Sequence, residues 1–301
     1  MVRTRNRPVL LGRCLKSLFE QIRKPDEVIV VNDAGVPVDH VLADVPGFPV
    51  LQVRNAERQG RAVSGNWGVN AATGDFIGFL DDDDLFLPDH LSLLEQAILQ
   101  RGSQVIYSGC RLVRRELLDD FTPVQESAIG EYNDPYDSAR LRYENYIPLI
   151  NLLIDRSLWA GIGGFDESFD IFEDWDMLIR LSECTRLDHL PQITTEYSIW
   201  GREQVTQSAG QEDWLIAYEK IIQKHILALP EDRRLTILKD YWMVSQGRRG
   251  MLASCLREKQ RLQELLSEER MKQQADPKSI TGQVLLFAAI KFQKMSILMS
   301  S

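Results

Sequence analysis

The sequence predicts an α/β protein with a doubly wound sheet. Three observations predict it. Short apolar runs rich in β-branched residues alternate with amphipathic stretches for about 110 residues. The runs end in Asn, Asp or Gly, and two acidic clusters stand at such ends. In open α/β sheets ligands bind outside the carboxyl ends of the strands, so both clusters are expected to face one crevice.

Taken in order, residues 8–21 place Leu11, Cys14, Leu15 and Leu18 at helical spacing, and Pro25 stops that helix. In "EVIVVNDAG", residues 28–31 read as a buried parallel strand ended by Asn32, Asp33 and Gly35. "VPVDHVLADVP" reads as a short helix, "FPVLQVRN" as a strand, and residues 63–72 as a helix ended by Gly74. "DFIGFLDDDD" reads as one strand, "LPDHLSLLEQAILQ" as a helix with Pro88 near its start, and "QVIYSGCRLV" as a fourth strand. Residues 120–147 lack a period and are expected to form a long loop with short helical parts. A strand is expected over 149–154. A helix follows in "EDWDMLIRLSEC", with Trp175, Leu178, Ile179 and Leu181 inside. From residue 211 the chain reads as mostly helical. This divides it into a domain over 1–210 and a helical extension over 211–301, which carries a weak heptad pattern in 252–275 and an apolar run at 284–290.

The 301 residues are 44% hydrophobic, enough for a substantial core, and carry a net charge of −9. That balance argues against a nucleic-acid partner, which needs a basic patch or stripe. Cys14, Cys110, Cys184 and Cys255 form no C-x-x-C pair, so neither a zinc site nor a disulfide framework is indicated. A reduced, cytoplasmic setting is the simplest expectation. "MVRTRNRP" lacks the apolar core of a signal peptide, and no apolar run reaches 18 residues. Residues 284–290 read as a core helix or, in a sharper reading, as a helix lying peripherally on the inner face of the membrane.

The chemistry concentrates in "FLDDDDLF". Two unit charges about 4 Å apart repel by roughly 4 kcal/mol at an effective dielectric of ~20, so a positive partner is expected there. Asp81 and Asp83 are two apart and point the same way in an extended segment. Hard divalent cations take one or two such carboxylates together with substrate phosphates. A solvated acidic turn is the alternative. Asp33 suits either a ribose or base contact or the capping of a turn. Glu173 and Asp174 open a helix, where acidic residues are favourable in any case and where a carboxylate is also placed to act as general base. Asp176 is a further candidate, or a surface charge. In "GRAVSGNWGVNAATGD" the glycines and the Asn66 amide are expected to let backbone approach a ligand. The stretch is neither G-x-G-x-x-G nor a P-loop, which disfavours a dinucleotide-dependent dehydrogenase.

Together "TRNRPVLLGRCLKSLFEQ", "PDEVIVVNDAG", "GRAVSGNWGVNAATGDFIGFLDDDD", "GIGGFDESF" and "EDWDMLIRL" resemble the family 2 glycosyltransferases of the GT-A fold, over residues 3 to about 200. The resemblance implies a mixed doubly wound sheet and inverting transfer of a sugar from a nucleoside-diphosphate donor, a UDP-sugar by family frequency. It implies a glycan or lipid-linked acceptor in cell-surface polysaccharide synthesis. It also implies that Thr4, Arg5 and Asp33 contact the nucleotide. Asp83 would hold Mn²⁺ or Mg²⁺ on the diphosphate, and Asp81 would contact ribose or the metal. Asp174 would be the base, with Glu173 orienting the acceptor and Trp175 stacking on a sugar or packing in the core.

The chain departs from the family pattern in two places. Only Met1 and Val2 precede Arg3, so the first strand is expected to be clipped. Trp200 stands near the place of a family histidine, with Arg202 a candidate for the missing positive charge. His40, His90, His189 and His225 read as structural or surface residues. The rival readings are a non-catalytic GT-A module that binds a nucleotide sugar or scaffolds a larger enzyme and, further off, a nucleotidyltransferase.

Overall fold

The computed structural model describes residues 1–43, 50–200 and 210–247. The readings of Arg202, of residues 252–275 and of 284–290 lie outside the described residues. The chain divides into two compact units, one of residues 1–136 with 146–208, the other of residues 137–145 with those from 209 on.

The first unit carries two sheets. One is parallel throughout, in the order β3 (Val50–Asn55), β2 (Val28–Asp33), β1 (Val2–Thr4), β5 (Leu80–Asp81). The strand expected to be clipped is three residues long, yet it is paired on both sides: Val2 stands opposite Val30 and Leu80. Every residue of β2 is buried, as its continuous apolar run requires. Helix α1 (Pro8–Phe19) starts with Pro8, whose fixed φ suits a first helical turn. Its stripe of Leu11, Cys14, Leu15 and Leu18 clusters with Val2, Val28, Val30 and Leu80. Full burial of such side chains stabilises by about 1.5–3 kcal/mol each.

The second sheet runs β4 (Phe76–Gly78), β9 (Leu152–Asp155), β7 (Val105–Leu117), β10 (Asp188–Ile199), β6 (Leu85–Phe86), with β8 (Pro123–Tyr132) also paired to β7. Only β7 and β10 pair in parallel. Helix α4 (His90–Arg101) ends at the left-handed Gly102 and sets Leu94 and Ala97 against Ile106, Leu153 and Leu190.

Four expectations are corrected. "DFIGFLDDDD" is two strands, β4 and β5, in different sheets. The residue between them, Phe79, is buried, its ring 5.2 Å from Trp159 and 5.6 Å from Phe165. Residues 120–147 are not mainly loop, for β8 pairs antiparallel along β7 there. Residues 149–154 begin with a 3₁₀ turn at Leu149–Asn151 before β9. The glycines of helix α3 (Arg61–Ala71) serve packing within the chain rather than ligand approach. A Cβ on Gly65 would lie 2.5 Å from the Phe165 ring, and one on Gly68 would lie 3.0 Å from Val31.

The second unit is helical where described. Asp137 caps the short helix Ser138–Leu141 by accepting from the Ala139 and Arg140 amides. Helix Gln211–Ile222 runs on through a π turn at Gln223–Leu227, and helix Glu231–Gly247 follows. Tyr143 meets Tyr241 edge-on at 5.1 Å. Among the described residues no helix is long and apolar enough to cross a membrane.

Candidate active site at the carboxyl edge of the parallel sheet

The parallel sheet delivers Thr4, Asp33 and Asp81 to one edge, because each is the last residue of its strand. Gly35 lets the following loops meet closely. A Cβ there would lie 2.7 Å from the Asn6 amide nitrogen and 3.0 Å from the Arg5 Cα. Asn6, Ala34 and Phe172 hold positive φ values of 60°, 54° and 69°, a conformation that costs non-glycine residues about 1–3 kcal/mol each. Phe172 makes the turn that starts helix α7 (Glu173–Cys184), and its ring lies 5.0 Å from Trp175.

The four aspartates alternate. Asp82 and Asp84 are buried, at 0% and 2% exposure, whereas the side chains of Asp81 and Asp83 are 24% and 10% exposed. The outward pair is the expected one, but a turn rather than an extended strand presents it: β5 ends at Asp81, and the Asp84 amide donates to the Asp81 carbonyl at 3.1 Å. The expected positive partner is present within the chain. Arg3 donates to both Asp81 oxygens, at 2.9 and 3.1 Å, and Arg61 donates to Oδ2 at 2.9 Å. Burial raises the Asp81 pKa, but Arg3 and Arg61 outweigh it and hold the carboxyl below the ordinary range. Asp82 accepts from the Thr4 hydroxyl at 2.6 Å and from Arg7 Nε at 3.2 Å, yet burial, aided by the Asp83 charge, pushes it up to about 7. Asp84 accepts from the Ser198 amide at 2.7 Å, and burial raises it well above the usual range. Asp83 accepts from Arg7 Nη1 at 3.2 Å and from Trp200 Nε1 at 3.0 Å.

The same two arginines reach α7. Glu173 Oε1 lies 2.9 Å from Arg3 Nη1 and 3.0 Å from Arg61 Nε. Its side chain is 2% exposed. This corrects the expectation that Glu173 orients an acceptor: it is a strut that fixes the start of α7 to the end of β5. Asp174 is only partly buried, and its Oδ1 accepts from the Trp175 amide at 2.7 Å. Burial and then the Glu173 charge raise it to about 6. Asp176 is buried and paired with Arg180 at 2.7 Å, so it is not a surface charge. Trp175 is fully buried in the core.

Asp33 accepts from Asn55 Nδ2 at 2.7 Å and from the Gln59 and Gly60 amides at 2.8 and 3.0 Å. It thus holds the loop that starts α3. The Thr4 side chain is buried against Asp82, and Arg5 is exposed. Asn66 is directed elsewhere: its amide bonds the Phe165 amide and carbonyl at 2.8 and 3.0 Å and Glu167 at 3.0 Å. Of the histidines, His90 is buried beside Thr194 at 2.7 Å and burial lowers it to about 3, as befits a structural residue. Sequence reasoning missed Arg3, Arg7 and Arg61 as partners of the acidic run. Only the unexplained charge of "DDDD" signalled that such partners had to exist.

Among the described residues no three His, Cys, Asp or Glu side chains converge as a metal cage. The partly exposed carboxylates Asp81 and Asp83 have the chemistry that a hard divalent cation takes beside phosphate and water, but each is held by arginine, Asp81 by Arg3 and Arg61 and Asp83 by Arg7.

The chain is similar to known proteins in sequence and in fold. Residues 1–150 match the family described as Glycosyl transferase family 2. An uncharacterized glycosyltransferase YwdF of Bacillus subtilis is 29% identical over 195 residues, 65% of this chain and 71% of that protein. A GalNAc(5)-diNAcBac-PP-undecaprenol beta-1,3-glucosyltransferase of Campylobacter jejuni is 33% identical over 121 residues, 38% of each chain. The crystal structure of S. aureus TarS 1-349 in complex with UDP-GlcNAc superposes with a TM-score of 0.60 at 18% identity, covering 83% of this chain and 73% of that one. The fold is therefore that of the GT-A enzymes, and the relatives in sequence are named glycosyltransferases. Residues 1–150 place that part of the chain with glycosyltransferase family 2.

Proposed function

We propose that the protein transfers a sugar from a nucleoside-diphosphate donor, a UDP-sugar, to a hydroxyl of a glycan or lipid-linked acceptor, with inversion. One observation carries the reading: the partly exposed pair Asp81 and Asp83 stands at the carboxyl end of the parallel sheet, with the partly buried Asp174 at the start of the helix tied to it. TarS supports the nucleotide sugar, because its own structure holds UDP-GlcNAc. The Campylobacter jejuni relative supports a lipid-linked acceptor, because its name carries a PP-undecaprenol saccharide.

Asp83, with Asp81, would hold Mn²⁺ or Mg²⁺. When bound, such a cation neutralises charge on the departing diphosphate. The exposed Arg5 and the Asp33 edge would face the nucleotide. Asp174 accepts the acceptor proton as the hydroxyl oxygen bonds to the anomeric carbon and the bond from that carbon to the diphosphate oxygen breaks. A single displacement from the face opposite the leaving group inverts the centre. A pKa of about 6 leaves Asp174 mostly ionised at neutral pH yet more basic than an ordinary aspartate. The Trp175 amide bond fixes the orientation of its carboxyl.

The test is to supply a panel of UDP-sugars with Mn²⁺ and candidate saccharide acceptors and to follow UDP release. The anomeric configuration of the product is then read by NMR. Release dependent on one donor, with the product inverted, is expected. No release with any donor, or a retained configuration, contradicts the proposal.

A further inference from the structure

The Asp83 carboxylate, assigned above to the metal, already has two donors from distant parts of the chain. Arg7 Nη1 and Trp200 Nε1 both reach its Oδ2, at 3.2 and 3.0 Å. The Arg7 guanidinium lies over the Trp200 ring, 5.6 Å from its centroid, and Phe121 meets that ring edge-on at 5.5 Å. Arg7 also pairs with Asp82. Burial works against the Arg7 charge, but Asp82, Asp83 and Asp81 outweigh it and the guanidinium stays protonated.

An oxygen that accepts two N–H groups has committed the lone pairs a cation needs. A cation within about 4 Å of a guanidinium also meets repulsion of several kcal/mol at an effective dielectric of ~20. A bare cation must therefore compete with Arg7 for Asp83 Oδ2. A cation that arrives with a diphosphate does not, because the phosphate oxygens offer Arg7 a new anionic partner of matching fork geometry.

We propose that Arg7, seated on Trp200, is a latch on the metal position: it keeps a bare cation off Asp83 and passes to the donor diphosphate when cation and nucleotide arrive together. Metal binding is thereby coupled to nucleotide binding. This inference rests on the donor-site reading above. It makes Arg7 and Trp200 positioning residues for the donor.

Two quantities test it on the full chain: the affinity for Mn²⁺ alone, from electron paramagnetic resonance of free Mn²⁺, and the ratio of UDP affinities with and without Mn²⁺, from calorimetry. Arg7→Gln should tighten Mn²⁺ alone by about tenfold, since a charged hydrogen bond competing for the site is gone. It should also shrink the UDP ratio. Trp200→Phe keeps an aromatic ring under Arg7 and removes only the donor, so a smaller tightening, about threefold, is expected. It leaves the Arg7–Asp82 pair in place and carries the test if Arg7→Gln does not fold. Unchanged or weaker Mn²⁺ binding in the folded variants, while wild-type UDP affinity still responds to Mn²⁺, overturns the latch and leaves the donor site standing. Wild-type UDP binding that ignores Mn²⁺ removes the metal reading, and the latch with it.

Discussion

Two acidic stretches meet at this site, Asp81–Asp84 and Glu173–Asp176, and they solve the same problem in the same way. In each, some carboxylates are buried and partnered inside the chain, while others keep access to solvent. In the first stretch the inward members are Asp82 and Asp84, and Asp81 and Asp83 face out. In the second, Glu173 and Asp176 are taken up by arginines and Asp174 stays partly open. The stretches differ in their partners. Asp176 is satisfied within its own helix by Arg180, four residues on. Asp81 and Glu173 share Arg3 and Arg61, which come from other elements. Charge in the sequence marks where chemistry is possible, and burial in the fold decides which carboxylates keep access to solvent.

The comparison breaks most sharply at Asp174. Asp174→Asn removes the proposed base and should lower the transfer rate by about 10²–10⁴-fold while UDP affinity holds. Steady-state kinetics beside calorimetry check both halves. If Asp176→Asn did the same with stability unchanged, the division between the two carboxylates would be wrong.

Next is the shared partner. Arg3→Met leaves Asp81 and Glu173 with Arg61 alone, and losing one side of a buried pair costs about 3–5 kcal/mol. Urea denaturation should show that loss, and a loss under about 1 kcal/mol would show that the strut is a surface pair.

A pH series sharpens the contrast between reacting and buried groups. Asp174 must be ionised to take a proton, so the rate should climb as pH rises through about 6 and level off above it. Asp82 behaves differently. Its folded pKa, about 7, lies above the ordinary 3.8, so between those values the folded chain binds the extra proton. Its contribution to stability therefore falls as pH rises from about 4 to about 7. Asp82→Asn should flatten the dependence of Tm on pH across that window, and an unchanged slope would contradict the assignment.

The smallest effect is expected at Asn66. Asn66→Ala should cost about 1–3 kcal/mol by leaving the Phe165 amide and carbonyl without their partner. It should leave UDP affinity unchanged, and a weakened UDP affinity would restore Asn66 to the donor site.

Much of the parallel half was legible in the sequence because its signals are local. The apolar run of β2, the stripe of α1 and the buried face of α7 each follow from spacing alone. β8 was not legible, since most of its residues are exposed and no apolar period marks it. β10 was hidden by Pro191, which the fold absorbs in a register shift between Leu190 and Ile193. The break at Phe79 depends on Trp159 and Phe165, 80 or more residues away in sequence. The acidic run announced the site, but its arginine partners lie 20 to 78 residues away in sequence, a range at which periodicity says nothing.

The central claim is that the outward carboxylates of the parallel edge bind a nucleoside diphosphate with a divalent cation. Calorimetric titration of UDP into the purified chain, with and without Mn²⁺ and beside Asp83→Ala, tests it directly. The account predicts binding that Mn²⁺ strengthens in the wild type and a folded Asp83→Ala that loses the response. A folded wild-type chain that binds no nucleoside diphosphate under either condition would contradict it.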